Sequence, residues 1–334
     1  MTSNENLQLA KRQKNDEFYT QYCDIEEELA NYWQQLRGKV IYCNCDDPDS
    51  SNFWLYFEKN FDRIGLKTLI STHYTPNQSS YKLEIHRHPI TNKRLSPIRT
   101  AMHGDGDFRS LECIQVLKMA DVVVTNPPFS LFKEYIAQLR AYDKHFIVIG
   151  NMNIMSSKAI FRMMRDNEMW LGYNAPKRFI MPDGSARAFG NIVWYTNVDI
   201  QKRHRPMELS SRYDPVRHLT YDNFEAINID RVADIPCDYF GIIGVPITFL
   251  SQQCPEQFKL LGIGSSKKFF VPTKYYKRPL RHNLDGTTTR QHIPVNNTLT
   301  IAYDSPPERK IYFTAENSDK YLVSPYNRLL IQRI

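Results

Sequence analysis

The stretch Ala120-Asp121-Val122-Val123-Val124-Thr125-Asn126-Pro127-Pro128-Phe129 joins a run of β-branched residues to two consecutive prolines. Residues 121–124 predict a short buried strand, because continuous β-branched runs are typical of strands that are covered on both faces. The prolines end this strand, since proline cannot donate a hydrogen bond to a ladder. Asn126 is therefore predicted at the carboxyl end of a strand, where ligands bind in open α/β sheets.

The four residues from Asn126 to Phe129 can hold an exocyclic amine. The Asn126 side-chain carbonyl and the Pro127 backbone carbonyl can both accept hydrogen bonds from one NH2 group. Two acceptors leave the nitrogen lone pair free to attack an electrophile, and Phe129 offers a flat face to a base. Adenine N6 and a sulfonium methyl fit this chemistry, so the predicted catalytic residues are Asn126, Pro127, Pro128 and Phe129. The alternative for Asn126 is an ordinary turn residue.

Four further blocks accompany this motif along the chain. The five blocks in order are DEFYT at 16–20, NCDDP at 44–48, GDGDFRS at 104–110, NPPF at 126–129 and DYFGIIGVPITFL at 238–250. Together they resemble the adenine-N6 DNA methyltransferases and, among these, the EcoRI-type adenine-specific group. The NPPF motif alone is also similar to that of glutamine methyltransferases acting on release factors and of some RNA methyltransferases.

The resemblance implies an α/β, class I (Rossmann-like) methyltransferase fold with a mainly parallel seven-stranded sheet and a smaller C-terminal target-recognition lobe. It implies transfer of a methyl group from S-adenosylmethionine to an adenine flipped out of duplex DNA, for restriction-modification or protection of host or phage DNA. A monomer is expected to act on double-stranded DNA without direct contact to a cognate restriction endonuclease. The alternatives are an RNA adenine-N6 methyltransferase and a DNA-binding protein that has lost cofactor binding.

The resemblance also assigns residues to the cofactor. The block at 16–20 would pack on the carboxylate end of S-adenosylmethionine, and Asp107 would bind its adenine amine. The cofactor-binding residues implied in this way are Phe18, Tyr19, Thr20, Asn44, Asp46, Asp47, Asp107 and Phe108. Structural alternatives are a core anchor for Phe18 and Tyr19, a helix N-cap for each Asp of the turn at 46–49, and a turn residue for Asp107.

The turn after the first predicted strand departs from most class I methyltransferases. It reads Cys-Asn-Cys-Asp-Asp-Pro-Asp at 43–49 and has no glycine. Such a turn cannot bring its backbone close to the cofactor, so the side chains of Asn44, Asp46 and Asp47 would make the contacts. The second predicted strand, 67–72, also lacks the acidic residue that usually holds the ribose, and Tyr74 or an Asp of the turn would have to replace it.

Composition and charge limit the class of protein and the kind of partner that the sequence allows. The chain has 334 residues, a net charge of +7 and 13% aromatic residues, which fits a two-lobed globular protein with a polyanionic partner. Its six cysteines form no CxxC pair, and no signal peptide or membrane span is recognisable, so a cytoplasmic protein with reduced thiols is expected. No metal site is expected, since His86 and His88 alone are too few ligands.

Alternating patterns predict the order of elements. We expect helices at 25–36, through Phe53 to Phe61, and at 111–119 and 131–139, strands at 39–44, 67–72, 145–150, 169–173 and 192–197, and a hairpin at 81–99. Asp46, Asp47, Asp49 and Ser50 are candidate N-caps for the second helix. The predicted organisation is a mobile arm at 1–15, a methyltransferase domain at 16–200 and a DNA target-recognition region at 201–334.

Residues 264–290 are strongly basic and rich in aromatic side chains. Seven Lys and Arg residues oppose the single acid Asp285 in this segment, a composition typical of nucleic-acid surfaces. A solvated basic face is the alternative, and the loop at 176–190 adds three further cations, Lys177, Arg178 and Arg187. The predicted nucleic-acid contacts are Lys177, Arg178, Lys267, Lys268, Lys274, Tyr275, Tyr276, Lys277, Arg278 and Arg281.

Overall fold

The computed structural model describes residues 19–180, 185–265, 269, 271–290 and 294–334. The arm at 1–15, Phe18, Lys267 and Lys268 therefore lie outside the described residues. The chain divides into two units, of which the first ends at Ile200 and the second begins at Gln201. Within the described part, no helix has the length and apolar character needed to cross a membrane.

The first unit contains eleven strands among its described residues. These are β1 (Tyr19–Thr20), β2 (Val40–Cys43), β3 (Thr68–Thr72), β4 (Tyr81–His86), β5 (Ile98–Ala101), β6 (Val122–Thr125), β7 (His145–Asn151), β8 (Trp170–Leu171), β9 (Arg178–Ile180), β10 (Ala186–Ala188) and β11 (Ile192–Thr196). Its helices are α1 (Tyr22–Leu29), α2 (Trp33–Leu36), α3 (Asn52–Ile64), α4 (Leu111–Met119), α5 (Phe132–Ala141) and α6 (Lys158–Arg165), with short 3-10 helices at Ala30–Tyr32, Phe129–Leu131 and Met152–Ser156.

The central sheet has eight strands in the order β5-β4-β3-β2-β6-β7-β11-β8, which corrects the expected seven. Strands β3, β2, β6 and β7 run parallel to one another, and β11 is antiparallel to β7 as expected for a final strand. The predicted hairpin supplies two of the eight strands, because β4 continues the ladder antiparallel to β3 and β5 pairs with β4. Strands β1, β9 and β10 form a separate antiparallel sheet.

Helix α3 explains part of the high aromatic content. Phe53, Phe57 and Phe61 recur at four-residue spacing and are buried in the core cluster of this unit, as an amphipathic helix requires. The helix begins after Ser51, whose hydroxyl accepts a hydrogen bond from the Phe53 amide at 3.0 Å. Ser51 therefore takes the N-cap role predicted for its neighbours, because the tight turn that starts at Asp47 brings the Ser51 amide to the Asp47 carbonyl at 2.7 Å.

The described residues of the second unit form mainly two sheets, which are antiparallel except that β12 is parallel to β13. Its strands are β12 (Ile227–Asn228), β13 (Ile242–Pro246), β14 (Phe258–Ile263), β15 (Leu280–His282), β16 (Thr288–Arg290), β17 (Ile301–Tyr303), β18 (Tyr312–Ala315), β19 (Ser318–Val323) and β20 (Arg328–Arg333), with α7 (Pro294–Asn297) and 3-10 turns at Gln201–His204, Val232–Asp234 and Ile247–Ser251. The strand orders are β12-β13-β20-β14 and β16-β15-β18-β19-β17. One small apolar cluster contains residues of both sheets, such as Ile301 of β17 and Leu330 of β20, and a second one packs on the five-stranded sheet around Phe313 and Leu322.

Candidate active site

The order in which the chain adds strands to the sheet changes direction at β2, although β2 and β6 themselves run parallel. From β2 the chain crosses to β3 on one side, whereas β6 pairs with the opposite side of β2. Ligands of open α/β sheets bind outside the carboxyl ends of the strands at such a reversal. The residues that follow β2 and β6 are Asn44 to Asp47 and Asn126 to Phe129, so two of the predicted motifs flank the expected ligand crevice.

Asp46 ties these two loops together. Its buried carboxylate accepts a hydrogen bond from Ser51 Oγ at 2.9 Å and a second one from Thr125 Oγ1. Thr125 Oγ1 also accepts the Cys45 amide at 3.3 Å, and the Asp46 carbonyl accepts Ser71 Oγ at 2.6 Å. Thr125 directly precedes Asn126, so the Asp46 side chain fixes the start of the NPPF motif against the turn after β2.

Asn44 is held by Tyr135 on α5. The Tyr135 hydroxyl donates to Asn44 Oδ1, and burial raises the pKa of this phenol well above its ordinary value, so it stays protonated at neutral pH. The ring of Phe108 packs edge-on against Tyr135 with 5.1 Å between centroids. Two predicted cofactor residues, Asn44 and Phe108, therefore meet through a residue that the sequence did not single out.

Asp47 differs from Asp46 in how much of its carboxylate is engaged. Oδ1 accepts the Tyr81 hydroxyl at 2.7 Å and the Asp49 amide at 3.0 Å. Oδ2 accepts no hydrogen bond from the described residues, and the side chain is half-buried. Asp47 therefore retains acceptor capacity for hydroxyl or ammonium groups of a ligand, whereas the two oxygens of Asp46 already bond within the protein.

Thr20 places an unpaired hydroxyl in the interior. Thr20 is 4% exposed, its carbonyl accepts Asn52 Nδ2 at 2.8 Å, and its Oγ1 has no hydrogen-bond partner among the described residues. A buried hydroxyl without a hydrogen-bond partner destabilises the folded protein unless a ligand supplies the partner. Asn52 is the first residue of α3, so Thr20 is connected to the same helix start as Ser51 and Asp46.

The Gly-rich turn at 104–110 is pressed against the end of β3. Gly106 has φ of +78°, and a Cβ there would lie 1.9 Å from the His73 carbonyl oxygen, so only glycine fits. Asp107 accepts Arg109 Nε at 2.9 Å on Oδ1 and Arg109 Nη2 at 2.7 Å on Oδ2, and this pairing lowers the pKa of Asp107. Asp107 is ionised at neutral pH, and Arg109 uses part of the hydrogen-bonding capacity of its carboxylate.

The NPPF motif has the position that the sequence predicted. Asn126 and Pro128 are half-buried and Pro127 is buried, while Phe129 starts a 3-10 helix and is 8% exposed within the main core cluster. The Leu131 amide donates to the Pro128 carbonyl at 3.0 Å, which leaves the Pro127 carbonyl outside that turn. A base can stack on Phe129 only if part of the covering structure moves.

The predicted nucleic-acid residues of the second unit have mixed surroundings. Tyr275 and Lys277 are exposed, Lys274 pairs with Asp222 at 2.8 Å, and Arg278 pairs with Glu316 at 2.9 Å. Arg281 is half-buried opposite Phe313 in the β15–β18 ladder. In the first unit, Lys177 and Arg178 are exposed. The Arg278–Glu316 pair is exposed, and exposed ion pairs contribute only about 0–1 kcal/mol, so a phosphate can replace Glu316.

Tyr276 is buried, which corrects its prediction as a nucleic-acid contact. The side chain is 3% exposed and packs with Val295, Phe313 and Leu322. Its hydroxyl donates to Asp222 at 2.7 Å. Neither the ring nor the hydroxyl can reach a nucleic acid, because both are committed to the interior of the second unit.

Sequence comparison supplies independent information. A family model described as "Adenine-specific methyltransferase EcoRI" matches residues 6–333. The Type II methyltransferase M.EcoRI of Escherichia coli is 42% identical, over 78% of this chain and 89% of the relative. The Type II methyltransferases M.MpnI of Mycoplasma pneumoniae and M.MgeORF184P of Mycoplasma genitalium are 35% and 33% identical, each over 75% of this chain and over 83% and 84% of the relatives. No solved structure is significantly similar to the chain.

Proposed function

The chain belongs to the EcoRI family of adenine-specific methyltransferases, and we propose that it methylates N6 of a flipped-out adenine at a defined site in double-stranded DNA. The placement of Asn126 at the carboxyl end of β6, beside the reversal of the sheet, carries this proposal. It includes a class I, Rossmann-like arrangement of the first unit and a target-recognition role for the second. It also includes action as a cytoplasmic monomer in restriction-modification.

Methyltransferases of this family use S-adenosylmethionine, and the side chains around β2 fit it. The orphan hydroxyl of Thr20, the open Oδ2 of Asp47 and the Asn44 amide nitrogen, which donates to none of the described residues, offer groups for its amino-acid and ribose ends. Asp107 Oδ2 accepts a single bond from Arg109 and keeps a lone pair for the adenine amine. When bound, the cofactor supplies an activated sulfonium methyl.

The protein contributes position and hydrogen bonding to the reaction. Asn126 Oδ1 and the Pro127 carbonyl would accept both protons of the adenine amine, which keeps its lone pair directed at the incoming methyl. Phe129 would stack on the base after the covering structure moves, at a worth of about 1–3 kcal/mol. Unstacking the adenine costs a few kcal/mol, which contacts with phosphates offset. The Asp46–Thr125 bond holds Asn126 at a fixed distance from the cofactor turn.

The substrate class is tested by offering alternatives to one enzyme preparation. Purified protein with S-adenosylmethionine labelled in the methyl group is incubated with duplex DNA, with structured RNA and with a glutamine-containing peptide. We expect label in DNA, recovered as N6-methyladenine after digestion to nucleosides. Label in RNA or peptide alone would contradict the proposal. Calorimetry with S-adenosylmethionine in the same preparation tests the cofactor, and absence of binding would favour a DNA-binding protein that has lost it.

A further inference from the structure

Strands β15 and β16 form a hairpin at the edge of the five-stranded sheet, with β16 as the terminal strand. Its turn is well braced: the Asn283 amide donates to the Thr287 carbonyl at 2.9 Å, and Gly286 occupies a left-handed conformation with φ of +80°. The Asp285 carboxylate accepts both the amide and the hydroxyl of Thr287, at 2.9 and 2.6 Å. The tip is thus a defined structure and not a loose loop.

This hairpin is exposed along most of its length. Every residue from 284 to 290 is exposed, and Leu284 at the tip is 68% exposed. The terminal strand β16 is an exposed sheet edge, and exposed edges invite contacts with other molecules because their outer backbone groups are unpaired. The one carboxylate of the turn, Asp285, is already engaged by Thr287. The hairpin also carries two arginines, Arg281 and Arg290, against this one acid, so its net charge favours a polyanion.

The register divides the hairpin into two faces. Leu280 lies opposite Arg290, and His282 lies opposite Thr288, so these four side chains share one face. Arg281 and Thr289 share the other face, and Arg281 lies opposite Phe313 of the buried cluster. His282 stacks on Tyr312 at 4.5 Å between centroids. Arg290 and Thr288 are therefore displayed at the sheet edge on the face away from Phe313.

We propose that the hairpin from Leu280 to Arg290 enters the major groove of DNA and that Arg290 and Thr288 read base edges. This inference rests on the proposed DNA methylation. A two-stranded ribbon fits the major groove, which is about 12 Å wide, and an arginine fork matches the O6 and N7 acceptors of guanine. Arg290 has no ion pair or side-chain hydrogen bond within the described part of the chain, so its fork is available. Thr288 presents a hydroxyl and a methyl group, which suit adenine or thymine.

The test compares variants that differ in face and in chemistry. Arg290→Lys keeps the charge and removes the planar fork, Thr288→Ala changes the reading face, and Thr289→Ala is the matched control on the opposite face of the same strand. Each full-length protein methylates bacterial genomic DNA that lacks N6-methyladenine, and long-read sequencing scores the modified adenines by context. Rates are then measured on a duplex with the wild-type motif and on duplexes changed at one base pair.

We expect Arg290→Lys to lower discrimination at one G·C position by about 10-fold to 100-fold, with unchanged thermal stability and unchanged salt dependence of binding. Thr289→Ala should keep the motif of the wild type. An unchanged motif in Arg290→Lys, or an equal loss of rate on all sequences, would overturn the reading role. The oligomeric state of each variant is also measured, and a wild type that is dimeric in solution, with a monomeric Arg290→Lys variant that keeps the motif, would instead assign this edge to a second copy. If the wild type methylates no DNA, the proposed function fails first.

Discussion

Asp46 and Asp47 are adjacent residues whose partners give them different roles. Both oxygens of buried Asp46 accept hydroxyl groups from Ser51 and Thr125, whereas Asp47 Oδ2 remains open among the described residues. The sequence identified both acids as cofactor candidates because their chemistry is the same. It could not separate them, since the distinction depends on Thr125, which is 79 residues away along the chain.

Replacing each acid should therefore have a different result. Asp47→Ala and Asp107→Ala should weaken the affinity for S-adenosylmethionine about 10-fold, with little change in DNA binding. Asp46→Ala should weaken cofactor binding and also lower the free energy of unfolding by about 2–4 kcal/mol, because two buried hydroxyls lose their acceptor. Calorimetry and urea unfolding measure the two effects. Unchanged cofactor affinity in all three variants would mean that the glycine-free turn is purely structural.

Phe129 combines two roles that can be separated by the size of the substituted side chain. Phe129→Ala should lose about 1–3 kcal/mol of base stacking and, because Phe129 lies in the core cluster, about 3–5 kcal/mol of stability. Phe129→Tyr keeps the ring and should retain methyl transfer. Turnover and thermal unfolding are measured for both variants. Equal damage from Ala and Tyr would show that Phe129 acts only as a core residue.

Among the secondary-structure elements, the strands that border the site were predictable from the sequence. The side-chain hydrogen bonds that connect the residues after these strands were not. The runs before Cys43 and Asn126 predict β2 and β6, and the structure places them as neighbours. Tyr135 contacts Asn44 across 91 residues of sequence, and no local pattern signals such a contact. The burial of Tyr276 was missed for the same reason, because its basic neighbours in the sequence give no sign of the apolar cluster that covers it.

Thr125 joins the loops after β2 and β6, so its substitution tests their coupling. Thr125→Val removes the hydroxyl that bonds Asp46 and Cys45 while it preserves the shape and β propensity of the side chain. We expect kcat to fall about 10-fold or more, with a smaller change in KM for DNA, because Asn126 loses its fixed position. Thr125→Ser should restore the rate. Equal defects in Val and Ser would contradict a role for the hydrogen bond.

At the scale of the whole molecule, the sequence predicted the α/β class and the antiparallel final strand, and the count of strands was wrong. The pattern at 81–99 indicated a hairpin, but a hairpin's pattern does not tell whether its edge joins an existing sheet. Here β4 pairs along β3 from Thr68 to Thr72. Ile85 of β4 is buried in the core cluster of this unit, and this burial of apolar surface stabilises the docked hairpin.

The excess of basic residues in the second unit predicts binding that depends strongly on salt. Lys277 is exposed and has no ion pair among the described residues, whereas Lys320 pairs with Asp304. Lys277→Gln should reduce the slope of log affinity against log salt concentration by about 0.9, which is the effect of one phosphate contact. Lys320→Gln is the comparison variant and should change the slope less, because Asp304 competes with a phosphate for this side chain. An unchanged slope for Lys277→Gln would remove this residue from the DNA surface.

The central claim is that Asn126 holds the amine that receives the methyl group, and Asn126→Ala tests it most directly. The rate of N6-methyladenine formation in duplex DNA, the affinity for S-adenosylmethionine and the unfolding temperature are measured for this variant and the wild type. We expect the rate to fall at least about 100-fold, as when one positioned hydrogen-bonding group is lost, with nearly unchanged cofactor affinity and stability. Turnover close to that of the wild type would contradict the account.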